Sequence, residues 1–394
     1  MKSVLYFIGL VAFLSSLAST GSPLPCISEV SCQKDTVKKD TLKKDSVHVM
    51  GIIKVYNKLF KNRSFILFPE LARKPETGFL TGIYYFQLLH LSGKKDSTTR
   101  TSFMENYADY TQHHQIVLQS RNYFLFRNER IMLRGENAYY KFPSLYWGIG
   151  NHPVAQPSEL ISYEFYRLYQ RLLVRMGSKL FAGMDYEYYK VSDVKYGINS
   201  LLITQNTQSR FGSVSSGAGF VVVYDTRDNI VNTFKGFYFD MACTFNNPAF
   251  GGQYFFTNVT TELKKFIWFG SRNVLAFQAL LNYNQGNVPF QQMAVIGGDV
   301  LMRGYYTGRF RDKIMAAGQV EYRFKVWGPI GLTAFLSVAE ISPTIPELNW
   351  VNVRYTVGGC FRFLINKKDR LNVGIDAGVG DRTSGLYFNS GEAF

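Results

Sequence analysis

From about residue 64 to residue 394, apolar and polar side chains take turns in segments of roughly ten residues. In FYFDMACTF, Phe237, Phe239, Met241, Cys243 and Phe245 share one face, and Tyr238, Asp240, Ala242 and Thr244 share the other. GQVEYRF sets Val320, Tyr322 and Phe324 against Gln319, Glu321 and Arg323. LNVGIDAGVG sets Leu371, Val373, Ile375, Ala377 and Val379 against Asn372, Gly374, Asp376 and Gly378. A period of two belongs to a β-strand, and a strand polar on one side has one wet face.

A soluble sandwich alternates in the same way, so the surroundings must decide. The chain opens with Lys2, an apolar run from Val4 to Leu17 and then small residues, the layout of a secretory signal peptide over residues 1–18. The apolar faces are rich in aromatics, as lipid-facing bands are, and the chain holds 33 Phe and 26 Tyr. The opposite faces carry charges and glycines, which suit a wet lumen. A mean hydropathy of −0.09 excludes a bundle of apolar helices. In lipid every backbone N–H and C=O must be paired within the protein, so strands there have to close on themselves.

The expected fold is therefore all-β: a transmembrane antiparallel β-barrel of about sixteen strands. The expected spans are 64–73, 78–91, 102–112, 114–126, 130–141, 161–174, 179–192, 214–226, 236–246, 253–268, 273–284, 315–326, 330–340, 353–364, 371–380 and 385–394. The barrel is expected to occupy residues 61–394, with a flexible Lys/Asp-rich tail over 19–60 that includes KDTVKKDTLKKDSV. Phe239 and Val373 are expected to face lipid. Thr244 and Asn372 are expected in the lumen, tolerant of polar change.

The net charge of +15 comes with no nucleic-acid motif, so no nucleic-acid partner is expected. Cys26 and Cys32 are spaced to close a small loop, while Cys243 and Cys360 fall in strands as small fillers. The five histidines, His48, His90, His113, His114 and His152, show no metal-ligand spacing, and no nucleophile elbow or phosphate loop is present. No catalytic residue, metal or cofactor is expected.

One connection is unlike the rest. GGDVLMRGYYTGRFRD, residues 297–312, packs glycines, arginines and two tyrosines between the eleventh and twelfth strands. Its Met302-Arg303-Gly304-Tyr305 tip, with Ile296-Gly297-Gly298 before it, resembles the sixth extracellular loop of the Omp85 superfamily of barrel-assembly and translocation proteins. KPETG (74–78), YWGIGN (146–151), YDTRDN (224–229), QVEYRF (319–324) and the final GLYFNSGEAF resemble that family's surface-antigen (D15-like) barrel domain, in family order.

The resemblance implies a cell outer membrane protein in contact with membrane lipid and lipopolysaccharide. It also implies client outer membrane proteins and periplasmic or lipoprotein accessory factors as partners. It further implies a loop inserted into the lumen, where the arginine docks on acidic residues of the strands that follow. The usual acidic position of the thirteenth strand reads Ser337 here, so Glu321 is the expected partner of Arg303 and Asp376 the second candidate. Gly304 and Tyr305 complete the loop tip.

The first and last strands, with Phe65, Pro69, Tyr387 and Phe394, are expected to meet at a weak lateral seam, since Pro69 lacks a ladder donor. About forty residues separate leader from barrel, fewer than the ~50 of a small domain, so a member without periplasmic domains is expected. The expected function is insertion, assembly or translocation of proteins through that seam. The alternative is a passive channel or structural barrel.

Overall fold

The computed structural model describes residues 65–91, 99–151, 158–270 and 273–394. The leader, the 19–60 tail and the Cys26–Cys32 pair lie outside the described residues. The alternating segments form β1 (Phe65–Lys74), β2 (Gly78–Leu89), β3 (Ser102–Thr111), β4 (Ile116–Phe126), β5 (Ile131–Lys141), β6 (Glu159–Arg175), β7 (Leu180–Lys195) and β8 (Ser213–Asp225). They continue as β9 (Gly236–Asn246), β10 (Phe256–Phe269), β11 (Asn273–Gly286), β12 (Ile314–Trp327), β13 (Ile330–Ser342), β14 (Arg354–Asn366), β15 (Leu371–Gly380) and β16 (Thr383–Ser390). Each pairs antiparallel with its neighbour in sequence, and β1 also meets β16, which closes the wall.

Burial follows the parity of the sequence. In β9, Tyr238, Asp240, Ala242 and Thr244 are buried, while Met241 and Phe245 are exposed. Leu67, Phe79, Ile83 and Phe220 are also among the large apolar side chains exposed on the outer face. An apolar band of this kind is stable in hydrocarbon and costly in water. The inner face is not an open wet lumen. Arg171, Asp185, Asp240 and Gln278 are all buried there. Thr244 donates to Asp185 at 2.7 Å and Asn372 donates to Glu392 at 2.7 Å. Their expected tolerance of polar change gives way to specific partnership.

Two expectations at the seam are corrected. The last strand ends at Ser390, four residues before the expected end, because Gly391 takes a left-handed φ of +72° and turns the chain inward. Val373 is buried at 6% exposure although its parity points outward. It clusters with Leu371, Ile365, Ile66, Tyr84 and Phe86. Phe388 lies 5.9 Å from both Phe68 and Tyr84, ring to ring. The outer face of β14–β16 near the terminal end is thus laid against the inner face of β1–β3. The wall is double there, so parity no longer means lipid.

Among the described residues, three segments enter the interior. Residues 287–313 enter from the end opposite the termini. The 226–235 turn folds in from the terminal end, placing Ile230 and Val231 on interior clusters. The third is the Gly391–Phe394 tail.

Candidate functional site

The loop between β11 and β12 is a folded insert. A short ladder pairs Ala294–Val295 with Arg311–Asp312 at its base. Above it Ile296, Met302, Tyr305 and Phe310 are buried with Met315, Ala317, Ala339 and Ile341 of the β12–β13 wall. The loop presses its backbone against β15. Gly304 has φ +108°, and a Cβ on it would stand 2.8 Å from the Gly378 backbone. A Cβ on Gly378 would stand 2.4 Å from the Arg303 carbonyl oxygen. Neither position admits a side chain. Thr383 Oγ1 donates to the Gly304 carbonyl at 2.5 Å, the Gly304 N–H donates to Tyr387 Oη at 2.9 Å, and the Asp381 N–H donates to Tyr305 Oη at 3.3 Å.

Arg303 is fully buried. Its Nη2 meets Glu321 Oε1 at 2.5 Å and its Nη1 meets Asp376 Oδ2 at 2.6 Å. Both expected carboxylates therefore hold it together, one from β12 and one from β15. Nη2 also donates to Gln319 Oε1 at 3.2 Å, which Ser337 Oγ approaches at 2.7 Å. Ser337 thus supports the arginine through an amide instead of by charge. The guanidinium lies 3.7 Å from the centre of the Phe335 ring, a cation–π contact. Burial alone disfavours the charged guanidinium, but the two carboxylates outweigh it and raise its pKa above the ordinary arginine value.

The contacts continue into a closed ring that the sequence did not reveal. Glu321 Oε2 binds Arg323 Nη2 at 2.9 Å, and Arg323 Nε faces Glu392 Oε2 at 3.9 Å. Glu392 Oε2 binds Arg362 Nε at 3.1 Å, and Arg362 Nη2 donates to Asp376 Oδ2 at 3.1 Å. Asp376 returns to Arg303. Three arginines alternate with three carboxylates, each side chain at most 7% exposed. A buried charge is tolerated when it is paired on both sides, and alternation achieves that. Parity placed Arg323 inward, and the same alternation in β14 sets Arg362 on the buried face with Thr356 and Cys360. Glu392 carried no such signal, because it lies past the end of β16.

The four expected seam residues separate. Phe65 and Pro69 lie on the exposed outer side of β1. Tyr387 points inward and serves the loop. Phe394 lies across the interior, buried with Phe266, Val274 and Ala276 of β10 and β11, and its carbonyl oxygen accepts from Arg323 Nη2 at 2.9 Å. Phe394 is thus removed from the seam, because the chain leaves the wall at Gly391.

Among the described residues, β1 and β16 share one aligned pair, Arg73 with Leu386. Every other neighbouring pair of the sixteen shares at least eight. The described contact between β1 and β16 is therefore the shortest strand pairing of the barrel wall. Among the described residues no group of three or more His, Cys, Asp or Glu is arranged to hold a metal.

Comparison with curated protein sequences finds no match. Among solved structures, BamA from Haemophilus ducreyi lacking POTRA domains 1–3 is similar in fold, with a TM-score of 0.53 at 12% identity, covering 84% of this chain and 70% of that one. CdiB from Acinetobacter baumannii gives a TM-score of 0.49 at 8% identity, covering 83% of this chain and 59% of that one. Residues 162–394 match the model of the Omp85 superfamily domain, which is more than half of the chain and spans the loop, the ring and the last strand. This sixteen-stranded barrel, with its arginine-tipped loop held in the interior, belongs to the Omp85 superfamily.

Proposed function

We propose that this protein resides in the bacterial outer membrane and assists the insertion or assembly of client proteins through the β1–β16 seam. The single observation carrying this reading is the seam itself, one aligned pair in a wall otherwise joined by eight or more. Unpaired strand edges are templates for another strand, and main-chain hydrogen bonds provide the affinity. Pro69 adds to the weakness, since it offers no N–H.

The passive-channel reading calls for an open lumen and a continuous wall. The loop, the inward turn and the C-terminal tail all occupy the interior, which favours the assembly reading. In this reading the termini lie on the periplasmic side, and clients or accessory factors arrive there.

The test is reconstitution in liposomes, with insertion of an unfolded client barrel and ion conductance scored on one sample. Arg73→Cys with Leu386→Cys pins the one aligned pair. Oxidation should abolish client insertion and a reductant should restore it, with little conductance in either state. Insertion that is unaffected by the oxidised bridge, or a large steady conductance without insertion, would overturn the proposal.

A further inference from the structure

On the inner face of the first three strands, a glycine separates two acidic side chains. Glu70 of β1 is aligned with Gly82 of β2, and Gly82 with Asp109 of β3. The two carboxylates thus meet over a strand position that carries no side chain. Neighbouring strands are about 4.8 Å apart, which puts the Glu70 and Asp109 backbones roughly 10 Å from each other. The Asp109 side chain leans into that gap, since a Cβ on Gly82 would overlap Asp109 Oδ1.

Glu70 is 1% exposed and Asp109 8%. Glu70 Oε2 and Asp109 Oδ1 are buried and accept no hydrogen bond from any described residue. One ammonium, that of Lys74, lies in the field of both, and Glu76 and Asp299 share it. Four carboxylates to one ammonium leave negative charge in excess. By contrast Asp240, also buried on the inner face, is paired with Arg134 and Arg171. Adjacent buried carboxylates without such partners are costly twice, through lost hydration and through mutual repulsion.

We propose that Glu70 and Asp109 hold a hydrated divalent cation, Ca²⁺ or Mg²⁺, between β1 and β3. A pair of carboxylates is a hard oxygen donor set, which favours these ions over softer transition metals. Cation–oxygen distances of about 2.0–2.6 Å place the two ligating oxygens at most roughly 5 Å apart, a separation that two acidic side chains reaching toward each other across one strand can meet. With two protein ligands, water fills the remaining positions, as is usual for Mg²⁺. Gly82 leaves the room, as a strand glycine does where a ligand approaches closely. The bound ion cross-links the first three strands beside the loop residue Asp299, and it does so whether or not the seam admits clients.

The experiment uses the full chain refolded in detergent free of lipopolysaccharide, stripped with a chelator and checked by heat-modifiable migration. Tb³⁺ is the probe, its luminescence excited through Tyr84 and Tyr107, which lie two residues from Gly82 and Asp109. Native protein should bind it, and Ca²⁺ or Mg²⁺ should compete. Glu70→Gln and Asp109→Asn should each weaken Tb³⁺ binding about tenfold or more, since each removes one of two charged ligands. Glu164→Gln, which breaks an ion pair with Lys141, should leave Tb³⁺ binding unchanged.

Melting of the metal-free and Ca²⁺-loaded forms is the second readout. Removing one of two like charges relieves repulsion, so metal-free Glu70→Gln should melt no lower than metal-free native protein. Only the native protein should gain from Ca²⁺. Tb³⁺ binding that is equal in the native chain and in the double variant, or absent from the native chain, overturns the proposal. So does a native melting temperature that rises as pH falls and ignores both cations, which would mean that the two carboxylates share a proton instead.

Discussion

Arg303 and Glu321 offer the sharpest test of how the loop is held. Arg303→Ala removes the shared partner of Glu321 and Asp376 together with the contact over Phe335. Breaking a buried pair costs roughly 3–5 kcal/mol. Here each carboxylate keeps a second arginine, Arg323 for Glu321 and Arg362 for Asp376, so the lower end, about 3 kcal/mol, is expected. Glu321→Gln keeps the shape and one acceptor while Arg303 retains Asp376, so about 2 kcal/mol is expected, within the range of a charged hydrogen bond. Independent effects would sum to about 5 kcal/mol, but the two changes remove one contact in common, so about 3.5 kcal/mol is expected for the double variant. The coupling of about 1.5 kcal/mol is what the 2.5 Å contact should yield. Urea titration in detergent micelles, followed by tryptophan fluorescence, measures all four proteins. Trp147 reports on the loop directly, since its ring centre is 5.0 Å from that of Tyr306. Additivity within about 0.5 kcal/mol would refute direct pairing of the two side chains.

Three further outcomes follow from the wall and its contents. Phe239→Arg should cost about 2–4 kcal/mol in a bilayer and far less in detergent, whereas Val373→Arg should destabilise equally in both, because Val373 is covered by protein; equal behaviour of the two variants would contradict the double wall. Gly378→Val should lift the loop, since even a Cβ stands 2.4 Å from the Arg303 carbonyl, and a Thr307→Cys probe should then become readily labelled by maleimide; unchanged labelling would place the loop elsewhere. In planar bilayers the intact protein should show little steady conductance and a chain lacking residues 299–310 a large one; equal conductance would mean that the loop does not obstruct the lumen.

Much of the barrel was legible because strand parity is local. Which side of β9 carries Phe239 and which carries Asp240 depends only on the two-residue repeat and on one face being apolar. The same parity put Glu321, Arg323 and Asp376 inside, and the Arg303-Gly304-Tyr305 tip marked the loop that would meet them. Parity cannot say which inward residues meet across a lumen, because that depends on barrel closure and on the path of each insert. Arg303 took both carboxylates because the loop lies against β15 over Gly378, between Glu321 on β12 and Asp376.

At the seam the local rule failed for a physical reason. It assumes a wall one strand thick, and β14–β16 overlap β1–β3 there, so Val373 is buried and Phe388 partly covered by protein instead of lipid. Glu392 was illegible for the same cause. Beyond Gly391 the chain is no longer a strand, and only the tertiary structure decided that its carboxylate would close a ring of charges with Arg323 and Arg362.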